Sequence, residues 1–111
     1  MPDYPSLALP AENGYTFIKK SDIIYLQADG SYTHIFLTNG QTVKVCRKLK
    51  EAQEMINSDA FLRIHHSYVI NLNHLKHYSD NEQTQVFLTN ETQLTVSRSR
   101  RQNFFEKFIR L

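Results

Sequence analysis

The side chains best equipped for chemistry in this sequence are its five histidines and its thirteen lysines and arginines. His65 and His66 stand together in "RIHHSYVIN", a stretch that otherwise reads as an apolar strand. Successive strand positions face opposite ways, so one ring is expected to turn inward and the other outward. His74 and His77 have H-x-x-H spacing, which on a helix would offer two ligands to a metal. Their surroundings read as strand or irregular chain, and no acid–histidine cluster accompanies them. The basic residues are clustered. Residues 44–50 hold Lys44, Arg47, Lys48 and Lys50 with no acid, a net +4; residues 94–111 hold Arg98, Arg100, Arg101, Lys107 and Arg110 against Glu106, again +4. The whole chain is only +2. Two basic clusters on a nearly neutral chain point to an anionic partner on one side of the molecule.

The arginines also stand in an unexpected place. The end of the chain, "SRSRRQNFFEKFIRL", has the periodicity of a helix, with Ser99 and Gln102 spaced as a capping box. A helix N-terminus favours acids, yet Arg98, Arg100 and Arg101 crowd it. That placement makes sense where an anion binds, since helix N-termini and guanidinium forks both suit phosphate. Arginine also reads the O6 and N7 of guanine bidentately. Catalysis has no comparable support: there is no Gly-rich phosphate loop, no nucleophile-and-base motif and no recognisable pair of carboxylates.

The elements that would position these residues are mostly strands. The first 14 residues carry all three prolines and read as a linker or N-terminal arm, with one domain over 15–111. "SYTHIFLT", the turn "NG" and "QTVKV" form a hairpin. Leu49, Ala52 and Ile56 predict a short helix over about Arg47–Ile56. "TQVFLT", "NET" and "QLTVS" form a second hairpin. Phe104, Phe105, Phe108, Ile109 and Leu111 predict the apolar face of a C-terminal helix. The expected fold is mainly β: short antiparallel strands in small stacked sheets, one short internal helix and a C-terminal helix. One cysteine, Cys46, permits no internal disulfide, and no run approaches the ~20 apolar residues of a membrane span; a cytoplasmic protein is expected.

Several separated motifs, in order, resemble the LytTR DNA-binding domain, the output module of many bacterial response regulators. "DIIYLQADGSYTHIFL" is similar to its opening strand–turn–strand, "LKEAQEMI" to its helix, "FLRIHHSYVINLNHL" to its signature of Phe, Arg-x-His, Ser-aromatic and Asn, and "QLTVSRSRRQNF" to its last strand with a Val-Ser-Arg ending. The resemblance implies a transcription regulator that inserts loops, not a recognition helix, into the major groove. It implies contacts from Ser31, Tyr32, Thr33 and His34 after the turn glycine, from His66, and from Arg98 with its neighbours Arg100 and Arg101, while Lys48 holds phosphate. By strand alternation one of Thr33 and His34 should face inward. His65 takes the place of the family's histidine and is expected to shape the turn by hydrogen bonding.

His66 departs from the resemblance, since many members carry Arg or Lys there; neutral histidine offers one donor and one acceptor. The implied partners are double-stranded DNA with repeated half-sites and, if the chain is a fragment, a receiver domain. The isolated domain would be monomeric and would pair on DNA. No cofactor is expected. Two other readings are a β-rich module binding protein or single-stranded RNA, and a histidine metal site.

Overall fold

Alternating and continuous apolar runs set the architecture. The computed structural model describes residues 4–111. Its elements are Leu7–Ala11 (β1), Gly14–Ile18 (β2), Ile23–Asp29 (β3), Tyr32–Leu37 (β4), Thr42–Val45 (β5), Leu49–Ile56 (α1), Phe61–His65 (β6), Tyr68–Asn71 (β7), Leu75–Asp80 (β8), Thr84–Leu88 (β9), Gln93–Thr95 (β10) and Arg101–Phe105 (α2). All pairing is antiparallel: a β1–β2 hairpin, a central sheet in the order β5-β4-β3-β7-β6, and a small sheet in the order β10-β9-β8.

The central sheet is covered on both faces. On one face Ile23, Leu26, Ile35, Leu37, Val45 and Val69 pack with Leu49, Ala52 and Ile56 of α1 and with Leu9 and Ile18 of the hairpin. On the other, Ile24, Tyr25, Leu62, Ile64 and Ile70 pack with Val86, Leu88, Leu94, Val96 and Phe104. This explains the unbroken "IIYL" of β3, all four of whose residues are buried. A strand covered on both sides needs apolar residues at every position. A register shift between Ile23 and Tyr25 helps send neighbouring residues to the two cores.

Three expectations are corrected. The stretch read as a linker or arm is, from Leu7 onward, a paired strand: Leu9 is buried, and Pro10 sits opposite Tyr15 at the edge of a two-stranded ribbon, where a missing N–H is tolerated. Residues 1–3 of that arm lie outside the described residues. The internal helix starts at Leu49 and not Arg47. The Lys48 N–H donates to Glu51 Oε1 at 3.4 Å, half of a capping box, and Asn57 in the left-handed region (φ 49°) closes the other end.

The C-terminal helix is the third. It has five residues and follows a 3-10 turn over Arg98–Arg100. The Ser99–Gln102 capping box is absent: no side chain caps the helix, and Gln102 Nε2 donates to Glu106 Oε1 at 3.2 Å. So short a helix cannot present a stripe running to Leu111. Phe104 is buried at 1% exposure, while Ile109 and Leu111 are solvent-exposed.

Candidate nucleic-acid interface

Antiparallel pairing brings three chain segments to one end of the central sheet. β3 ends and β4 begins there, joined by the turn at Gly30–Ser31. β5 ends there and runs into Cys46–Lys48. β6 and β7 meet there at the His66–Ser67 turn. Hydrogen bonds tie each segment to the next. Thr33 Oγ1 donates to the Arg47 carbonyl at 2.8 Å, the Ala28 N–H to the Ser67 carbonyl at 2.9 Å, and the Ser97 N–H to the Ile64 carbonyl at 2.8 Å. The last bond sets the Arg98–Arg100 turn beside the end of β6. The result is one continuous edge, with strand spacing giving ~19 Å from β5 to β6.

Most of the candidate contact residues reach this edge with free surface. Ser31, Tyr32, Lys48, His66 and Arg98 are exposed, and Arg100 is half-buried. The Lys44 Nζ lies 4.3 Å from the centre of the Tyr32 ring, a cation–π contact. Arg101 is exposed but committed elsewhere: it pairs with Asp80 on β8 and stacks over Phe105. Asp80 also accepts from Thr84 Oγ1 at 2.8 Å, and the two bonds hold its carboxyl below the usual carboxylate range.

Thr33 is a correction. Its side chain is wholly buried, because alternation along β4 sends Thr33, Ile35 and Leu37 into the α1 core. Its hydroxyl already serves the Arg47 carbonyl, so it holds the edge together and is not available to a base. His34 takes the outward position. Its Nε2 lies 2.8 Å from Asp29 Oδ2 across the hairpin. That hydrogen bond holds the Asp29 carboxyl below the ordinary carboxylate range. A depressed folded-state pKa means that the contact stabilises above the unfolded pKa and is lost as pH falls through the folded one. His34→Ala should therefore raise the Asp29 pKa toward that of a free aspartate, read by NMR titration of the carboxyl carbon; an unmoved pKa would mean that the pair does not persist in solution.

The two adjacent histidines separate because His65 ends β6 and His66 lies in the turn. His65 Nδ1 accepts from the Ser67 N–H at 3.0 Å, and its ring centre lies 5.0 Å from that of Tyr68. It shapes the turn. His66 projects from the tip. His74 has both ring nitrogens engaged, with Thr89 Oγ1 at 3.0 Å and the Ser21 carbonyl at 2.8 Å, and so has no lone pair turned to a shared site with His77.

Arg63, the arginine of the Arg-x-His motif, has no role assigned from sequence. Its Nε donates to the His65 carbonyl at 2.9 Å and a terminal nitrogen donates to the His66 carbonyl. Burial and the nearby Arg100 charge push its pKa down from the ordinary arginine value, though a guanidinium stays charged. The signal was its place two residues before His65 in the Arg-x-His motif.

Comparison with known proteins identifies the family and the fold. Residues 13–109 match the family described as the LytTr DNA-binding domain. The chain is 30% identical over 101 residues to the transcriptional regulatory protein LytR of Staphylococcus aureus strain N315, covering 89% of this chain and 41% of that protein. It is 32% identical over 66 residues to the CO-responsive transcriptional regulator RcoM of Rhodospirillum rubrum, covering 60% and 28% respectively. It thus spans less than half the length of these relatives. The fold matches a solved LytTr DNA-binding domain from Bacillus cereus with a TM-score of 0.78 and 24% identity, over 90% of this chain and 93% of that one. With the match covering almost the whole chain, the protein belongs to the LytTr DNA-binding domain family.

Proposed function

We propose that the edge described above reads double-stranded DNA in a sequence-specific way and that the domain is the output half of a transcription regulator. The observation that carries this is the convergence of Ser31, Tyr32, His34, His66 and Arg98 on one hydrogen-bonded edge with basic residues at both ends. An edge of ~19 Å is wide enough to straddle a minor groove of ~6 Å and to place turns in the major groove on either side. Arg98 is the strongest candidate for a base contact, because its guanidinium is exposed and bound to no acid among the described residues. Lys48 and Arg100 suit phosphates.

In this reading the domain acts by binding and not by catalysis, in the cytoplasm. No helix among the described residues is long and apolar enough to cross a membrane. A single copy is monomeric and binds weakly. In a longer protein a phosphorylated receiver domain would pair two copies on repeated half-sites, raising affinity through effective concentration.

The test is selection of random duplex DNA on the purified domain, then salt-dependent affinity for the recovered sequence against a scrambled duplex. A recovered motif with a large ratio between the two supports the reading. Preference for the melted strands would support a single-strand module instead. Lys48→Ala should reduce the slope of log affinity against log salt by about one unit and leave base preference intact; an unaltered slope would mean that Lys48 never reaches a phosphate.

A further inference from the structure

The β6–β7 hairpin has a turn that its backbone alone does not favour. His65 pairs with Tyr68, leaving a two-residue loop of His66 and Ser67. Two-residue hairpins are best closed by turns with positive φ at one or both loop positions, because those match the right-handed twist of the strands. Neither His66 nor Ser67 has a positive φ. A register shift between Arg63 and His65 disturbs the ladder just before the turn. Both features would let the tip drift.

Side chains supply what the backbone lacks. Arg63 donates to the carbonyls of His65 and His66, the two that lead into the tip, while the His65 ring takes the Ser67 N–H. The guanidinium is a rigid planar fork, suited to holding two carbonyls at once. It is half-buried beneath the turn, and it makes no ion pair with an acid among the described residues. The turn it holds carries His66 at its tip, between Ser67, which is bonded to β3, and the Arg98 turn, which is bonded to β6.

We propose that Arg63 is the positioning residue of the interface: it fixes the His65–His66 backbone so that the His66 side chain meets a defined base edge. The proposal rests on the base-reading function argued above. It assigns base preference at the His66 position to a residue that presents no base contact of its own.

Two measurements test it. The first needs no DNA. In Arg63→Gln, native-state hydrogen exchange at the Ser67 amide should quicken by about tenfold, while amides in β3 and β4 keep their protection. Unchanged exchange at Ser67 overturns the proposal. The second uses the selected duplex and its single-base variants. His66→Ala identifies the base pair that the turn reads. Arg63→Gln should relax preference at that same pair by about tenfold, keep preference at the pair assigned to Arg98, and add nothing further in the double variant with His66→Ala. Arg63→Lys, which keeps the charge but loses the fork, should recover only part of the preference. An equal loss of affinity for every duplex, fully restored by Arg63→Lys, would make Arg63 a phosphate contact and overturn the positioning role. A wild-type domain that fails to discriminate sinks the base-reading conclusion and the DNA half of this proposal together; the exchange measurement then decides alone whether Arg63 holds the turn.

Discussion

Arg98→Ala should weaken binding to the selected duplex by about 1–3 kcal/mol and relax base preference at one position. Three observations set that size. The side chain is exposed at the end of the interface edge. Its backbone is anchored, because the preceding Ser97 N–H is bonded to the Ile64 carbonyl of β6. Among the described residues it has no acidic partner to compete with a base, in contrast to Arg101, which is paired with Asp80. A bidentate guanine contact from such a fork discriminates strongly, whereas a phosphate contact adds affinity to all sequences alike. Measuring affinity for the selected duplex and for each single-base variant separates the two. A uniform loss across the panel would place Arg98 on the backbone of the DNA.

Phe104→Ala should destabilise the domain by about 3–5 kcal/mol, the usual range for removing a buried ring. Phe104 is 1% exposed and lies in the core shared by β6, β9, β10 and the C-terminal segment. Its ring centre is within 5.2 Å of Phe108, 5.4 Å of Phe105 and 6.2 Å of Tyr78. A five-residue helix has too little propensity to hold itself on the sheet, so this one ring is its principal anchor. The loss is a large share of the ~5–15 kcal/mol that a small domain commands. It should also weaken DNA binding under conditions where the variant still folds, because the Arg98–Arg100 turn leads directly into α2. Urea unfolding followed at two wavelengths measures the first effect and affinity in the folded baseline the second. A loss of stability below ~1 kcal/mol would show that the C-terminal segment is not docked as described.

Much of this was legible in the residues. The "NG" hairpin, the α1 face of Leu49, Ala52 and Ile56, and the outward projection of His66 follow from periodicity and turn chemistry. The assignment of Thr33 and His34 did not. Alternation said that one faces inward, but which one depends on the face of β4 that meets α1, and that is a tertiary fact. The N-terminal strand was hidden by its prolines, which are allowed at the edge of a two-stranded ribbon although they oppose a central strand. The C-terminal helix was drawn too long, because aromatic residues at helical spacing pack just as well from a single helical turn followed by irregular chain. Arg63 stood in the Arg-x-His motif, but its role was not legible there, because the groups it serves are backbone carbonyls, which every residue carries. Asp29 gave no signal beyond its place in a turn dipeptide.

One modest feature makes all of this open to experiment. Cys46 is the only cysteine in the sequence and is exposed. It directly follows β5 and stands beside Arg47 and Lys48 at the end of the edge proposed to meet DNA. A maleimide-linked fluorophore would therefore attach at one exposed site in the unmutated protein. From there its emission would register the approach of a duplex on that side, and a spin label at the same thiol would give distances between two copies seated on neighbouring half-sites.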